Sequence, residues 1–125
     1  MYATTRKTVK EQSKHAPIGA AIKKAGNNRA FWQHGNDSGF ILHRTNVVLV
    51  KQGRLYVGSG WWETPTTRQA IHDGIAAMRR AGYALTFKGN ENILLFIEKG
   101  RLFWGTKRLD GSKPLFVGYA KKTKG

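Results

Sequence analysis

Aromatic side chains interleave with cations along this chain. Trp32, Tyr56, Trp61, Trp62, Phe103, Trp104 and Tyr119 stand near Arg29, Arg54, Arg101 and Lys107. Flat rings beside positive charge are the equipment for stacking a nucleobase while its phosphate is neutralised. Aromatics on strands also build cores, so their orientation decides which use applies. Neighbours on a strand point to opposite faces. One of Trp61 and Trp62, and one of Phe103 and Trp104, is therefore expected at the surface.

Two of the arginines occupy equivalent places in an internal echo. Residues 46–59 and 92–106 both read Asn, an aliphatic run, a polar pair, Gly-Arg-Leu-aromatic, an apolar residue, Gly and a hydroxyl. Gly53 and Gly100 suit the positive φ of a tight hairpin turn. Each copy is read as a β-hairpin with Arg54 or Arg101 just after its turn. There the arginine can grip a phosphate or reach a base edge.

Catalytic chemistry has fewer resources. His15, His34, His43 and His72 lack the close spacing of zinc ligands. His34 with Asp37, or His43 with Glu63, would have to meet in space to support a metal-dependent nuclease. The chain has no cysteine, which excludes disulfides, thiolate zinc sites and thiol catalysis. It has no Gly-rich phosphate loop ending in Lys-Ser or Lys-Thr and no nucleophile elbow. Seven acids in total make a carboxylate cluster hard to assemble. No catalytic residue, metal or cofactor is assigned.

The charge points elsewhere. Lys plus Arg number 22 against 7 acids, a formal net charge of +15 on 125 residues. Self-repulsion on that scale opposes folding, which suggests a use, and the natural partner is a polyanion. The N-terminal stretch supplies Arg6, Lys7, Lys10, Lys14, Lys23, Lys24 and Arg29 against the single acid Glu11. The C-terminal residues add Lys121, Lys122 and Lys124. Basic ends around a more balanced middle are a footprint of nucleic-acid binding.

Elements must hold these groups in place. Pro17, Ile18, Ala21, Ile22 and Ala25, stopped by Gly26, predict a short helix over about 17–25. Ala30–Gln33 and Phe40–His43 predict a hairpin with a longer loop between them. Thr64 as N-cap, Pro65 in the first turn and Gly82 at the stop predict the main helix over about 65–81. Ile71, Ile75 and Met78, with Ala70, Gly74, Ala77 and Ala81, give it a small-residue packing face. Arg68, Arg79 and Arg80 fall largely elsewhere, the last two near the negative end of the helix dipole. Tyr83–Lys88 and Leu115–Tyr119 read as strands, with Lys107–Pro114 a polar loop. The longest apolar run, Ile93–Ile97, is too short to span a bilayer, and the N-terminus lacks an apolar signal segment.

The expected fold is α+β: an antiparallel, strongly curved sheet of about six to eight short strands carrying one main helix. Residues 1–28 form a basic arm with the short helix. Residues 29–120 form one domain containing both similar hairpins. Residues 121–125 form a basic flexible tail.

Leu42, His43 and Asn46, the hairpin glycine Gly53, and then Trp62, Thr64, Thr66, Thr67, Arg68 and Ile71 form a recognisable string. It resembles small proteins of unknown function encoded by tailed phages. Their pattern runs Leu-His…Asn, a Gly-centred hairpin, and Trp-x-Thr-x-Thr-Thr-basic leading into a helix. Trp61 departs from it where Gly is usual, as do Ala70 and His72 where Arg and Asn are usual. The resemblance implies a phage or prophage origin and a host-cytoplasmic setting, and carries no catalytic residues.

The expectation is a non-enzymatic nucleic-acid-binding protein, with DNA ahead of RNA. Phosphate contacts are assigned to Arg6, Lys7, Lys10, Lys14, Lys23, Lys24, Arg29, Arg54, Arg68, Arg79, Arg80, Arg101, Lys121 and Lys122. Stacking is assigned to Trp61, Trp62 and Trp104. Free N–H groups at the main helix N-terminus, with Arg68 and the threonines 64, 66 and 67, offer a further phosphate site. The alternative is an interaction protein that docks on an acidic surface of a host enzyme, such as the transcription machinery, or on a virion component. No membrane partner is expected.

Overall fold

A computed structural model of the chain describes residues 29–89, 93–111 and 113–123. The strands are β1 (Arg29–His34), β2 (Asp37–Leu42), β3 (Thr45–Lys51), β4 (Arg54–Val57), β5 (Tyr83–Phe87), β6 (Leu95–Glu98), β7 (Arg101–Trp104), β8 (Lys107–Arg108) and β9 (Leu115–Lys122). The helix is α1 (Pro65–Arg80). The class is α+β, but the expected single sheet of about six to eight strands is corrected to two sheets holding nine strands among the described residues. β1-β2-β3-β4-β9-β5 form one, and β6-β7-β8 the other. The strand pairs are antiparallel. Register shifts at Phe40/Ile41 and Leu55/Tyr56 mark local irregularities in the larger sheet. They do not amount to one strongly curved sheet. The helix expected over about 17–25 and the basic arm expected over 1–28 fall outside the described residues.

Local chemistry explains most of these elements. Both echo segments form hairpins with two-residue turns. Positive φ occurs at Gln52 and Gly53 in one and at Lys99 and Gly100 in the other. Positive φ at both central residues defines the turn whose twist matches paired strands. At α1, the Thr64 hydroxyl accepts from the Thr67 N–H at 3.2 Å, and Gly82 closes the helix at φ 103.

Three loop expectations are overturned by tertiary contacts. The first hairpin has a short turn, with His34 facing Asp37 in register. Asp37 and Ser38 read as loop residues, yet both find partners as strand residues. Asp37 Oδ1 accepts from the Gln52 N–H at 3.1 Å. Ser38 donates to the Tyr83 hydroxyl at 2.8 Å, since that hydroxyl donates its own proton to the Asn36 carbonyl at 2.7 Å. Lys107–Arg108 forms β8 within the expected polar loop. Lys121 and Lys122 continue β9, pairing with Ala84 and Tyr83, so they are not a free tail.

The helix covers one face of the large sheet, packing chiefly on β2, β3 and β5 and also touching β1 and β6. Phe40, Val48, Val50, Leu55 and Val57 meet Ile71, Ile75 and Met78 in a core with no solvent exposure. Gly74 permits the close approach. A Cβ there would stand 2.7 Å from Val48 Cγ2 and 2.9 Å from Phe40 Cβ. Arg29, at the inner edge of β1, pairs with Asp73 of α1 at 2.7 Å. The second sheet adds Leu95, Ile97, Leu102 and Trp104 to the same core. Among the described residues no helix is long and apolar enough to cross a membrane.

Glu63, just before α1, ties the second sheet to the helix entry. Its carboxylate accepts from the Leu102 N–H at 3.0 Å and from Arg108 Nε and Nη2 at 2.9 and 2.7 Å. The Arg108 hydrogen bonds hold its pKa below the usual carboxylate value despite partial burial. Glu63→Ala leaves the Leu102 N–H without its acceptor, and an orphaned buried donor costs about 1–3 kcal/mol. A urea midpoint lowered accordingly is expected, with Arg108→Ala costing less because Arg108 is substantially exposed.

Candidate nucleic-acid interface

The face of the large sheet opposite α1 carries a continuous lateral row. The pairs Trp32–Gly39, Gly39–Leu49, Leu49–Tyr56 and Tyr56–Phe116 link one residue from each of β1, β2, β3, β4 and β9, with the β2 position a glycine. Strand alternation puts these residues outward because their neighbours Phe40, Val48, Val50, Leu55 and Val57 point into the core. A second row pairs Arg54 with Tyr119, and Tyr119 with Thr86 of β5.

Three of the rings meet around Phe116. Phe116 lies 5.7 Å from Tyr56 at a tilt of 45° and 5.3 Å from Tyr119 edge-on. Tyr119 is 52% exposed, while Trp32, Leu49, Tyr56 and Phe116 are half-buried, so these side chains form a low surface rather than a sealed core. Trp32 is held by an indole N–H bond to Asn46 Oδ1 at 2.8 Å, and its ring occupies the space above Gly39. Any side chain at Gly39 would collide with the indole nitrogen.

Cations frame the rings. Lys88 Nζ stands 4.6 Å from the Phe116 centroid and the Arg54 guanidinium 5.4 Å from it. Lys51 pairs in register with Arg54, and Lys121, two residues beyond Tyr119 on β9, shares its face. Lys51, Arg54, Lys88 and Lys121 are all exposed. Two acids are engaged elsewhere, Glu63 with Arg108 and Asp73 with Arg29. Asp37 sits at the margin of the face, taken up by the Gln52 N–H.

The other assigned contacts scatter. Arg6, Lys7, Lys10, Lys14, Lys23 and Lys24 lie outside the described residues. Arg29 is corrected to an internal ion-pair partner, its side chain 15% exposed beside Asp73. Arg79 lies 5.9 Å over the Phe87 ring, and Lys122 5.2 Å over Tyr83. Arg68 is half-buried on α1, while Arg80 is exposed at its end. Arg101 is exposed but sits on β7 of the second sheet, whereas Arg54 is on β4 of the first. Trp104 is corrected from stacking platform to core: it is 5% exposed and packs 5.7 Å from Phe87. Its neighbour Phe103 is half-buried and stacks on Phe96 at 5.3 Å.

Trp61 and Trp62 are both exposed, at 71% and 59%, rather than one in and one out. They lie in a loop, where strand alternation does not apply. Trp61 has φ 76, and the Trp62 N–H turns back to the Ser59 carbonyl at 3.0 Å. Trp62 lies 6.4 Å from the His43 ring. At the α1 N-terminus, the Thr64 and Thr67 hydroxyls are 3.2 Å apart and serve the cap. Among the described residues no three His, Cys, Asp or Glu side chains gather around a common ion position.

Phe116, Lys51 and Lys88 were not singled out from the sequence. Their signal was weak: Phe116 sits in a strand with no clean alternation, because the ladder shifts register beside it. Comparison with family models, curated proteins and solved structures finds no match for this chain.

Proposed function

We propose that this protein is a non-enzymatic nucleic-acid-binding protein whose contact surface is the open face of the six-stranded sheet. The observation that carries the reading is the shared outward face of Trp32, Tyr56, Phe116 and Tyr119, framed by Lys51, Arg54, Lys88 and Lys121. Bases stack on the rings irrespective of sequence, and the cations neutralise phosphates. The basic N-terminal residues add charge without adding selectivity. DNA is placed ahead of RNA. The resemblance to tailed-phage proteins supports a host-cytoplasmic setting.

A second reading rests on Trp61 and Trp62. Two adjacent exposed tryptophans on a left-handed turn suit an anchor for a protein partner. The acidic surface of a host enzyme, or a virion component, matches the net charge. Capture of such a partner that survives nuclease treatment would favour it.

The salt dependence of binding tests the primary reading. Each phosphate neutralised on a single strand contributes about −0.7 to the slope of log affinity against log salt. The four framing cations therefore set a slope of about −3 or steeper. Fluorescence anisotropy on single-stranded DNA, duplex DNA and RNA reads it directly. Binding that is absent, or flat across the salt series for all three, sinks the proposal.

A further inference from the structure

We infer that the cleft beside the open sheet face is a pocket for one unstacked nucleobase, which makes a single strand the preferred ligand. The inference rests on the nucleic-acid reading of that face. The cleft has a volume of about 310 Å³ and lies between the second sheet and β9. Its walls include Ile93, Trp104, Leu115 and Phe116, with Lys88 and Lys107 among its lining residues.

Three features converge on a base. The first is size: ligand pockets begin at about 300 Å³, so this one suits a single heterocycle and its sugar rather than a paired or stacked set. The second is composition. Aromatic and aliphatic walls receive the flat body, while the exposed Lys88 and Lys107 supply two ammonium groups to neutralise the attached phosphates. The third is continuity. Phe116 and Lys88 belong to the cleft and to the open face at once, with Lys88 Nζ 4.6 Å from the Phe116 centroid. A strand stacked on Tyr56 and Tyr119 therefore reaches the cleft mouth without leaving the surface.

Strand preference follows from cost. A base in a duplex must break its pairing and stacking before entering such a pocket, whereas a base in a single strand has little to break. Trp104, too buried to serve as an open platform, contributes to the wall.

The test is an NMR titration of isotope-labelled protein with a short oligodeoxythymidine strand and with an abasic strand of equal length. The intact strand is expected to shift the Trp104 indole N–H and the Gly105, Thr106 and Lys107 amides, whereas the abasic strand leaves the indole in place. Thr106→Trp, which fills the cleft from its exposed lining, lowers affinity for the intact strand by about tenfold, the loss expected for one stacked base. Thermal unfolding checks that the variant folds, and the wild-type titration stands without it. Shifts confined to the open face, with T106W binding as wild type, overturn the pocket and leave the sheet reading intact. Duplex binding as tight as single-strand binding also overturns the pocket. No shift on either surface removes both.

Discussion

Replacing Tyr56 and Tyr119 together by leucine lowers affinity for a single-stranded oligonucleotide by about a hundredfold. Base–aromatic stacking contributes about 1–3 kcal/mol per ring, and about 1.4 kcal/mol is a factor of ten, so two rings at about 1.4 kcal/mol each reach this figure. Leucine keeps the outward apolar surface and suits a strand, but it offers no flat π-face. Tyr119 is the most exposed ring of the face, and Tyr56 contacts Phe116 at 5.7 Å. The formal charge is unchanged, so affinity for inorganic polyphosphate, a polyanion without bases, stays near the wild-type value. Anisotropy titrations at one fixed salt concentration separate the two ligands. If oligonucleotide and polyphosphate affinities fall together, or neither falls, the rings do not stack bases and the face is only a charged surface.

Acidification destabilises this protein through His72. The side chain is 3% exposed on α1, and its Nδ1 has no hydrogen-bond partner. Burial, reinforced by the positive charge of Arg68, pushes its pKa from 6.5 down to about 4. The unfolded chain then takes up a proton at pH values where the folded chain does not. The stability contribution is complete above pH 6.5, falls progressively towards pH 4, and falls no further below it. A displacement of this size corresponds to roughly 3 kcal/mol.

Glu63 acts in a lower window. Its carboxyl pKa lies below the ordinary 4.5, so its contribution is present above that value and lost as pH falls beneath it. Between pH 6.5 and 4.5 the Glu63 contribution is nearly constant, so it does not mask the slope set by His72. His72→Leu should flatten that slope in urea unfolding measured across the window. An unchanged slope would assign the acid sensitivity to other groups.

Residues within a few positions of one another made parts of this fold legible. Thr64, Pro65 and Gly82 delimit α1 because capping and φ preferences act locally. Gly53 and Gly100 set two hairpin turns for the same reason. Asp37 and Ser38 misled because their partners, Gln52 and Tyr83, are distant in sequence. Alternation fails at Trp61 and Trp62 because the chain has left the strand there, with Trp61 at φ 76.

By itself, the sequence determined the main helix, the two tight hairpins, the α+β class and a large positive charge. These depend on turn geometry, helix capping and composition, which need no knowledge of distant partners. Tertiary structure alone decided that two hairpins of similar pattern join different sheets. It turned Arg29 and Trp104 inward and brought Phe116 beside Tyr56 and Lys88. A row running across strands is assembled from residues far apart in the chain. Which face of the sheet stays open depends on where the helix buries its apolar side, and that is settled by packing of the whole domain.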